Sequence, residues 1–169
     1  MLVGVVSDTH DSLERAARAA QAFKERGVSA VIHLGDVIAP FTLRPFLELG
    51  ARFEGVFGNN DGERMGLSRL AAAFGASIHD PPRSVVIGGK RFLLVHGFGD
   101  PDSTVEIVRA LAESGRWHAV LYGHTHEPLL TYRRGVLLLN PGDGGGVLNR
   151  SSYALVDTET MRARLVELD

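Results

Sequence analysis

The stretch Leu2-Val3-Gly4-Val5-Val6-Ser7-Asp8-Thr9-His10-Asp11 decides the fold. Its apolar run has strand length, is bounded by polar residues and opens into a helix start, the pattern of a buried central strand whose C-terminal end carries chemistry. Asp8 and His10 sit at that end. One residue separates them, so in locally extended backbone both side chains leave on one face, where a carboxylate oxygen and an imidazole nitrogen can converge on one metal ion. A plain helix N-terminus explains Asp11 as cap, with Glu14 three residues on as its capping-box partner. It gives Asp8 and His10 no role.

Outward from this stretch, Ser12 to Arg26 places Leu13, Ala16, Ala17, Ala20 and Phe23 on one stripe, an amphipathic helix closed by Gly27. Ser29 to Leu34 is a second buried strand running into Gly35-Asp36. Two successive βα units imply a parallel pair with both aspartates at one edge. Pro40 to Leu49 reads as a short helix, Arg52 to Phe57 as a third strand ending in Gly58-Asn59-Asn60-Asp61, and Glu63 to Phe74 as a helix. The pattern then changes. Ser84 to Ile87 and Arg91 to Val95 form a hairpin across Gly88-Gly89, and the second strand ends in His96-Gly97. Ser103 and Glu106 make a capping box for a helix to about Ser114, and Ala119 to Tyr122 is a strand ending in Gly123-His124-Thr125-His126. Short strands follow at Leu129 to Tyr132, Val136 to Leu139, Ser152 to Val156 and Arg162 to Leu168. An α/β first half and a β-rich second half fit two sheets packed face to face with helices outside.

The 169 residues fit one domain, 1–169, with 44% hydrophobic and 22% charged residues as in ordinary globular proteins. Eighteen basic against 20 acidic residues leave a net charge of -2, and the basic pair Arg133-Arg134 falls short of the extended cationic surface a polyanion needs. Nucleic acid is therefore not an expected partner. The N-terminal apolar stretch stops at Asp8, lacks a basic flank and is too short for a signal h-region or a membrane span, so the expectation is a cytoplasmic protein without a membrane partner. No cysteine is present, which excludes disulfides, thiolate-bound zinc and a thiol nucleophile. Any metal is then held by His, Asp, Glu and Asn, a donor set suited to Mn, Fe, Co, Ni or Zn.

Five strand ends carry such donors: Asp8 with His10, Asp36, Asn59, His96, and His124 with His126. Each alone has a bland reading as a turn, but strand C-termini of an open α/β sheet line one crevice. The remaining histidines have structural readings: His33 faces a strand neighbour, His79 lies in a surface loop before Asp80-Pro81-Pro82, and His118 opens a strand.

In this order Asp8-x-His10, Gly35-Asp36, Gly58-Asn59-x-Asp61, His96 and Gly123-His124-x-His126 resemble the motif set of the calcineurin-like metallophosphoesterases, in particular their small bacterial and archaeal phosphodiesterase branch. The resemblance spans residues 1 to about 145. It implies a four-layer αββα sandwich of two mixed sheets and two divalent metal ions, Mn foremost, with Ni, Fe, Co or Zn as alternatives. Carried over by motif, Asp8, His10 and His126 hold the first ion and Asn59, His96 and His124 the second, with Asp36 bridging. Catalysis would rest on Asp36, Asn59 and Asp61, the last acting behind the ligands or finishing its turn, and Asn140-Pro141-Gly142 resembles a turn near the site. Two ions in such a site lower the pKa of a shared water and clamp a phosphoryl oxygen, so a bridging hydroxide attacks a small phosphate ester and no side-chain nucleophile is needed.

Two positions depart from the superfamily pattern. Asn60 stands where many of its phosphatases have a proton-donating His, and Phe98 where the branch commonly has a second His. A phosphodiesterase is the leading expectation. A phosphomonoesterase or nucleotidase of the same fold and a protein-binding scaffold like the retromer subunit are the rivals, and association into a homo-oligomer stays open.

Overall fold

Along β1 (Leu2–Val6), Val3 and Val5 pack to one side and Val6 to the other, and all three are fully buried. A strand covered on both faces needs a layer on each side, and the rest of the chain supplies them. In the computed structural model, which describes residues 1–168, β1 is followed by α1 (Leu13–Glu25), β2 (Ala30–His33), α2 (Pro40–Leu47), β3 (Arg52–Val56), α3 (Arg64–Ala73) and β4 (Ser77–His79). Then come β5 (Arg83–Ile87), β6 (Lys90–Leu94), α4 (Pro101–Glu113), β7 (Ala119–Leu121), β8 (Leu129–Arg133), β9 (Val136–Asn140), β10 (Ser152–Asp157) and β11 (Ala163–Glu167).

One sheet has the order β11-β10-β1-β2-β3-β4, parallel from β1 to β4 and antiparallel at β10 and β11. The other has the order β5-β6-β7-β9-β8, with β6, β7 and β9 parallel. Val3, Val5, Ala30 and Ile32 of the first sheet meet Ala119, Leu121, Leu137 and Leu139 of the second in one apolar interior. The alternate residues face outward: Val6 and Val31 pack under α1, α2 and α3, while Val120, Val136 and Leu138 pack under α4. The layers are therefore helix, sheet, sheet, helix, the expected αββα sandwich of mixed sheets.

Several local expectations are corrected. Ser12, not Asp11, is the N-cap of α1, and no side chain caps it. Asp11 instead reaches across to α2, where its Oδ1 accepts from the backbone N–H of Ala39 (2.9 Å) and from the Thr42 hydroxyl (3.3 Å). On α1, Ala19 is buried while Leu13 is 47% exposed, which rotates the apolar stripe from the expected one. The cap of α4 is Asp100, accepting from the N–H and hydroxyl of Ser103, with Pro101 at the first helical position; no Ser103–Glu106 box forms. The strand β4 was not anticipated, and His79 closes it with Nε2 2.8 Å from Ser77 Oγ instead of lying in a surface loop. The hairpin of β5 and β6 does turn on Gly88-Gly89, both with positive φ, pairing Ile87 with Lys90.

Candidate metal centre

Five parallel strands, three from one sheet and two from the other, end at one edge of the sandwich, and the loops after them supply every candidate ligand. Asp8 and His10 follow β1, Asp36 follows β2, Asn59 and Asp61 follow β3, His96 follows β6, and His124 and His126 follow β7. The expected extended backbone at Asp8 and His10 is not found. Asp8, His10, Asp36, His124 and His126 all lie at positive φ, between 42° and 68°. Left-handed backbone is costly for residues with a Cβ and persists only where the surroundings enforce it. Close approach of neighbouring glycines crowds two of these turns. A Cβ on Gly58 would strike the Asp36 carboxylate, and one on Gly123 would strike the Ser7 hydroxyl and lie 2.7 Å from Asp8 Oδ2.

The turns bring all seven expected ligands together in two groups. In the first, His10 Nε2 and His126 Nε2 are 3.3 Å apart, and Asp8 Oδ1 lies 3.8 Å and 3.6 Å from them. In the second, Asn59 Oδ1 lies 2.9 Å from both His96 Nε2 and His124 Nδ1. Asp36 Oδ2 is 3.5 Å from His10 Nε2 and 3.5 Å from His96 Nε2, between the groups. Asp8 is also within reach of Asp36 and His96, so both carboxylates line the shared wall.

The residues behind the ligands fix which nitrogen is free. His96 Nδ1–H donates to the Leu34 carbonyl (2.7 Å), and His124 Nε2–H donates to the Gly99 carbonyl (2.6 Å). In the neutral rings the other nitrogens then carry lone pairs aimed at Asn59 Oδ1, itself an acceptor as oriented. Acceptors 2.9 Å apart repel unless a proton or a metal ion sits between them. His126 Nδ1 lies 3.0 Å from Asp143 Oδ2, a charge contact without full hydrogen-bond alignment, which leaves Nε2 toward His10. Ligand atoms ~2.0–2.2 Å from a common ion are separated by roughly 3–4 Å; the first group has this spacing and the second, at 2.9 Å, lies just below it. Asp8 Oδ1 is buried with no hydrogen-bond partner. The donor set fits two divalent ions.

Electrostatics agree. Asp8, Asp36, Asp61 and Asp143 are all less than 5% exposed, and among the described residues no Lys or Arg pairs with their carboxylates. Burial resists ionisation of Asp36, but contact with His96 and two hydrogen bonds from Asn60 outweigh it and hold the carboxyl well below its usual range. Asp143 is pushed the same way, against burial, by His126 and the N–H groups of Leu148 and Asn149. Asp143 raises His126; for His96, burial pulls down but Asp36 and Asp8 push up more strongly. A field that draws protons onto imidazoles draws metal cations equally.

Asp61 contacts none of the other candidate ligand atoms. Its Oδ2 accepts from the N–H groups of Asp36 (3.0 Å) and Gly58 (2.7 Å) and its Oδ1 from Ile38, so it pins two ligand-bearing turns to each other. Asn60, noted in the sequence only for lacking an acidic proton, donates Nδ2–H to Asp36 Oδ2 (2.7 Å). Asn140 donates to the Gly123 carbonyl and the Thr125 hydroxyl and so supports the His124–His126 turn. His33 is buried beneath the site between Thr9 and the Gly35 N–H, and His118 accepts from Arg91 N–H; neither reaches the centre. Phe98 packs into the cluster under α4. Asp143 was missed. Its position directly after Asn140-Pro141-Gly142, at the end of another buried strand, was the available signal.

Two stacked mixed sheets with an oxygen- and nitrogen-donor cluster at their common edge define an αββα protein with a candidate binuclear metal centre. The chain belongs to the calcineurin-like phosphoesterase superfamily, whose domain pattern matches residues 1–161. It is 34% identical over 171 residues to phosphodiesterase MJ0936 of Methanocaldococcus jannaschii, across the whole of both chains. It is 29% identical to phosphodiesterase YfcE of Escherichia coli, covering 92% of this chain and 86% of that one. A solved archaeal phosphodiesterase superposes with a TM-score of 0.88 at 34% identity, covering 99% of this chain and 100% of the other. Vps29 of Entamoeba histolytica, at 19% identity and a TM-score of 0.65, shares the fold.

Proposed function

We propose that this chain is a metal-dependent phosphodiesterase acting on small phosphate esters in the cytoplasm. The observation that carries the proposal is the convergence of the His96 and His124 ring nitrogens on Asn59 Oδ1 at 2.9 Å, beside four buried carboxylates that have no Lys or Arg partner among the described residues. Asp8, His10 and His126 would hold one ion and Asn59, His96 and His124 the other, with Asp36 between them. Two divalent ions so held, Mn first among the candidates, supply a nucleophile at neutral pH and positive charge for the phosphoryl oxygens. Asp61 and Asn60 keep Asp36 in place, and the carbonyls of Leu34 and Gly99 keep His96 and His124 turned the right way. A neutral Asn at position 59 limits negative charge where an anionic phosphate must approach.

Asn60 has no proton to give at neutral pH, and general acid catalysis is worth ~10²–10⁴-fold for basic leaving groups. Diesters with acidic leaving groups follow as the favoured class, since a diester monoanion also carries less charge than a monoester dianion. A monoesterase has no comparable support, and the scaffold reading leaves the complete ligand set without a purpose. The protein should hydrolyse bis(p-nitrophenyl) phosphate faster than p-nitrophenyl phosphate in Mn²⁺ buffer and lose both activities with EDTA. Asp36→Asn should lower turnover by ~10²-fold or more with an unchanged circular dichroism spectrum. Near wild-type turnover in that variant with metal bound normally would sink the binuclear mechanism.

A further inference from the structure

A cleft of about 350 Å³ opens at the candidate metal centre, lined by Asn59, His96 and His124 together with Phe57, Pro81 and Arg64. Arg64 is its only permanent cation. The buried carboxylates do not explain that cation, because their partners are imidazoles, amides and backbone N–H groups.

The guanidinium is held rather than free. Its Cζ stacks 4.9 Å from the centre of the Phe57 ring, Nε–H donates to the Asp61 carbonyl at 3.3 Å, and Nη1–H donates to Asp80 Oδ1 at 2.6 Å. Among the described residues Nη2 has no partner. The carboxylate of Asp61 also fixes the Asp36 and Gly58 turns, so the guanidinium keeps register with the proposed ligands. Asp80 is different. Its side chain is 76% exposed, and an exposed pair of this kind contributes only ~0–1 kcal/mol, little enough for a bound anion to replace. Arg holds phosphate through paired, charge-assisted hydrogen bonds from a planar fork, which a stacked guanidinium presents already oriented.

We infer that Arg64 grips the phosphate of the substrate in this cleft, with Asp80 as the built-in competitor for the same guanidinium. The inference rests on the hydrolytic reading above for its substrate, but its test does not need turnover. Inorganic phosphate is titrated calorimetrically into wild type and variants in Mn²⁺ buffer, and bis(p-nitrophenyl) phosphate kinetics are measured in parallel. Arg64→Gln should raise the phosphate Kd and the diester KM by roughly tenfold or more, with kcat within about twofold, and Arg64→Lys should recover part of the loss. Asp80→Asn, on an exposed side chain, should lower both constants by roughly two- to fivefold. A merely structural Arg64 would show no gain in Asp80→Asn, so an unchanged or weakened phosphate affinity there overturns the inference, as does an unchanged affinity in Arg64→Gln. If no variant and no wild type turns over the diester while the phosphate affinities shift as stated, the hydrolytic reading falls and the anion site stands.

Discussion

At the scale of single residues, what separates the proposed ligands from ordinary polar side chains is how their second atoms are tied. A histidine with one nitrogen bonded to a carbonyl or carboxylate presents the other as a lone pair in a fixed direction. His96 and His124 are tied in this way, to the carbonyls of Leu34 and Gly99, and His126 Nδ1 is faced by Asp143 in a 3.0 Å charge contact. Asp143 is the one charged member of that set and the largest single influence on His126. Asp143→Ala should therefore weaken the affinity for one of the two ions by ~10–100-fold and leave the other nearly untouched. Competition with a chromophoric chelator, followed through both binding steps, reads this out. Equal weakening of both steps would mean that Asp143 acts on the loop as a whole, through Leu148 and Asn149, and not through His126.

Among the elements, the loop between β1 and α1 has a second duty besides carrying Asp8 and His10. Through Asp11 it ties down the start of α2, a short helix with Pro40 at its first position, Pro45 inside and no cap of its own. A local capping box would have made Asp11 and Glu14 partners. The cross-element bond separates them: Asp11→Ala should cost about 1 kcal/mol, lowering Tm by roughly 2–4 °C, whereas Glu14→Ala removes only an exposed pair with Arg18 and should cost about 0.5 kcal/mol or less. Thermal melts of the two variants side by side decide it. Equal losses would restore the local reading.

Across the whole molecule, the site is built over a buried histidine that stays neutral. His33 sits under the centre between Thr9 and Gly35, its ring edge-on to Phe46 of α2, and burial lowers its pKa from 6.5 to about 4 despite the nearby carboxylates. Between those values the unfolded chain binds a proton that the folded chain refuses, so the contribution of His33 to stability is whole above pH 6.5 and shrinks as pH falls toward 4. His96 and His126, with raised values, act in the opposite sense: their contribution is whole below pH 6.5 and fades at higher pH. The difference in urea midpoint between wild type and His33→Gln, both kept in chelator, isolates the first effect. Wild type should lose ground relative to the variant as pH drops from 7 to 4.5; a difference that does not change with pH would mean His33 titrates normally.

The sequence by itself determined the layered α/β class, the strands other than β4 and the seven candidate donors, because each depends on short-range pattern: apolar runs of strand length, and donors placed where such runs stop. Val3 and Val5 against Val6 already require cover on both faces. Only the tertiary structure decided which sheet each late strand joins. A split into an α/β first half and a β-rich second half assigns β10 and β11 to no particular sheet; β10 pairs antiparallel with β1, Leu2 opposite Asp157, and β11 follows it at the edge of the first. Nothing local distinguishes the two sheets, since the central strands of both bury apolar side chains on either face and pairing partners are chosen by long-range closure. The same holds within the site. Asp11 on α2, Asp61 on the Asp36 turn, Asp143 behind His126 and Arg64 over Phe57 each find a partner on another element or turn, across distances the sequence does not encode locally. The left-handed turns at Asp8, His10, Asp36, His124 and His126 are likewise imposed by packing, since intrinsic preference alone would have left those residues extended.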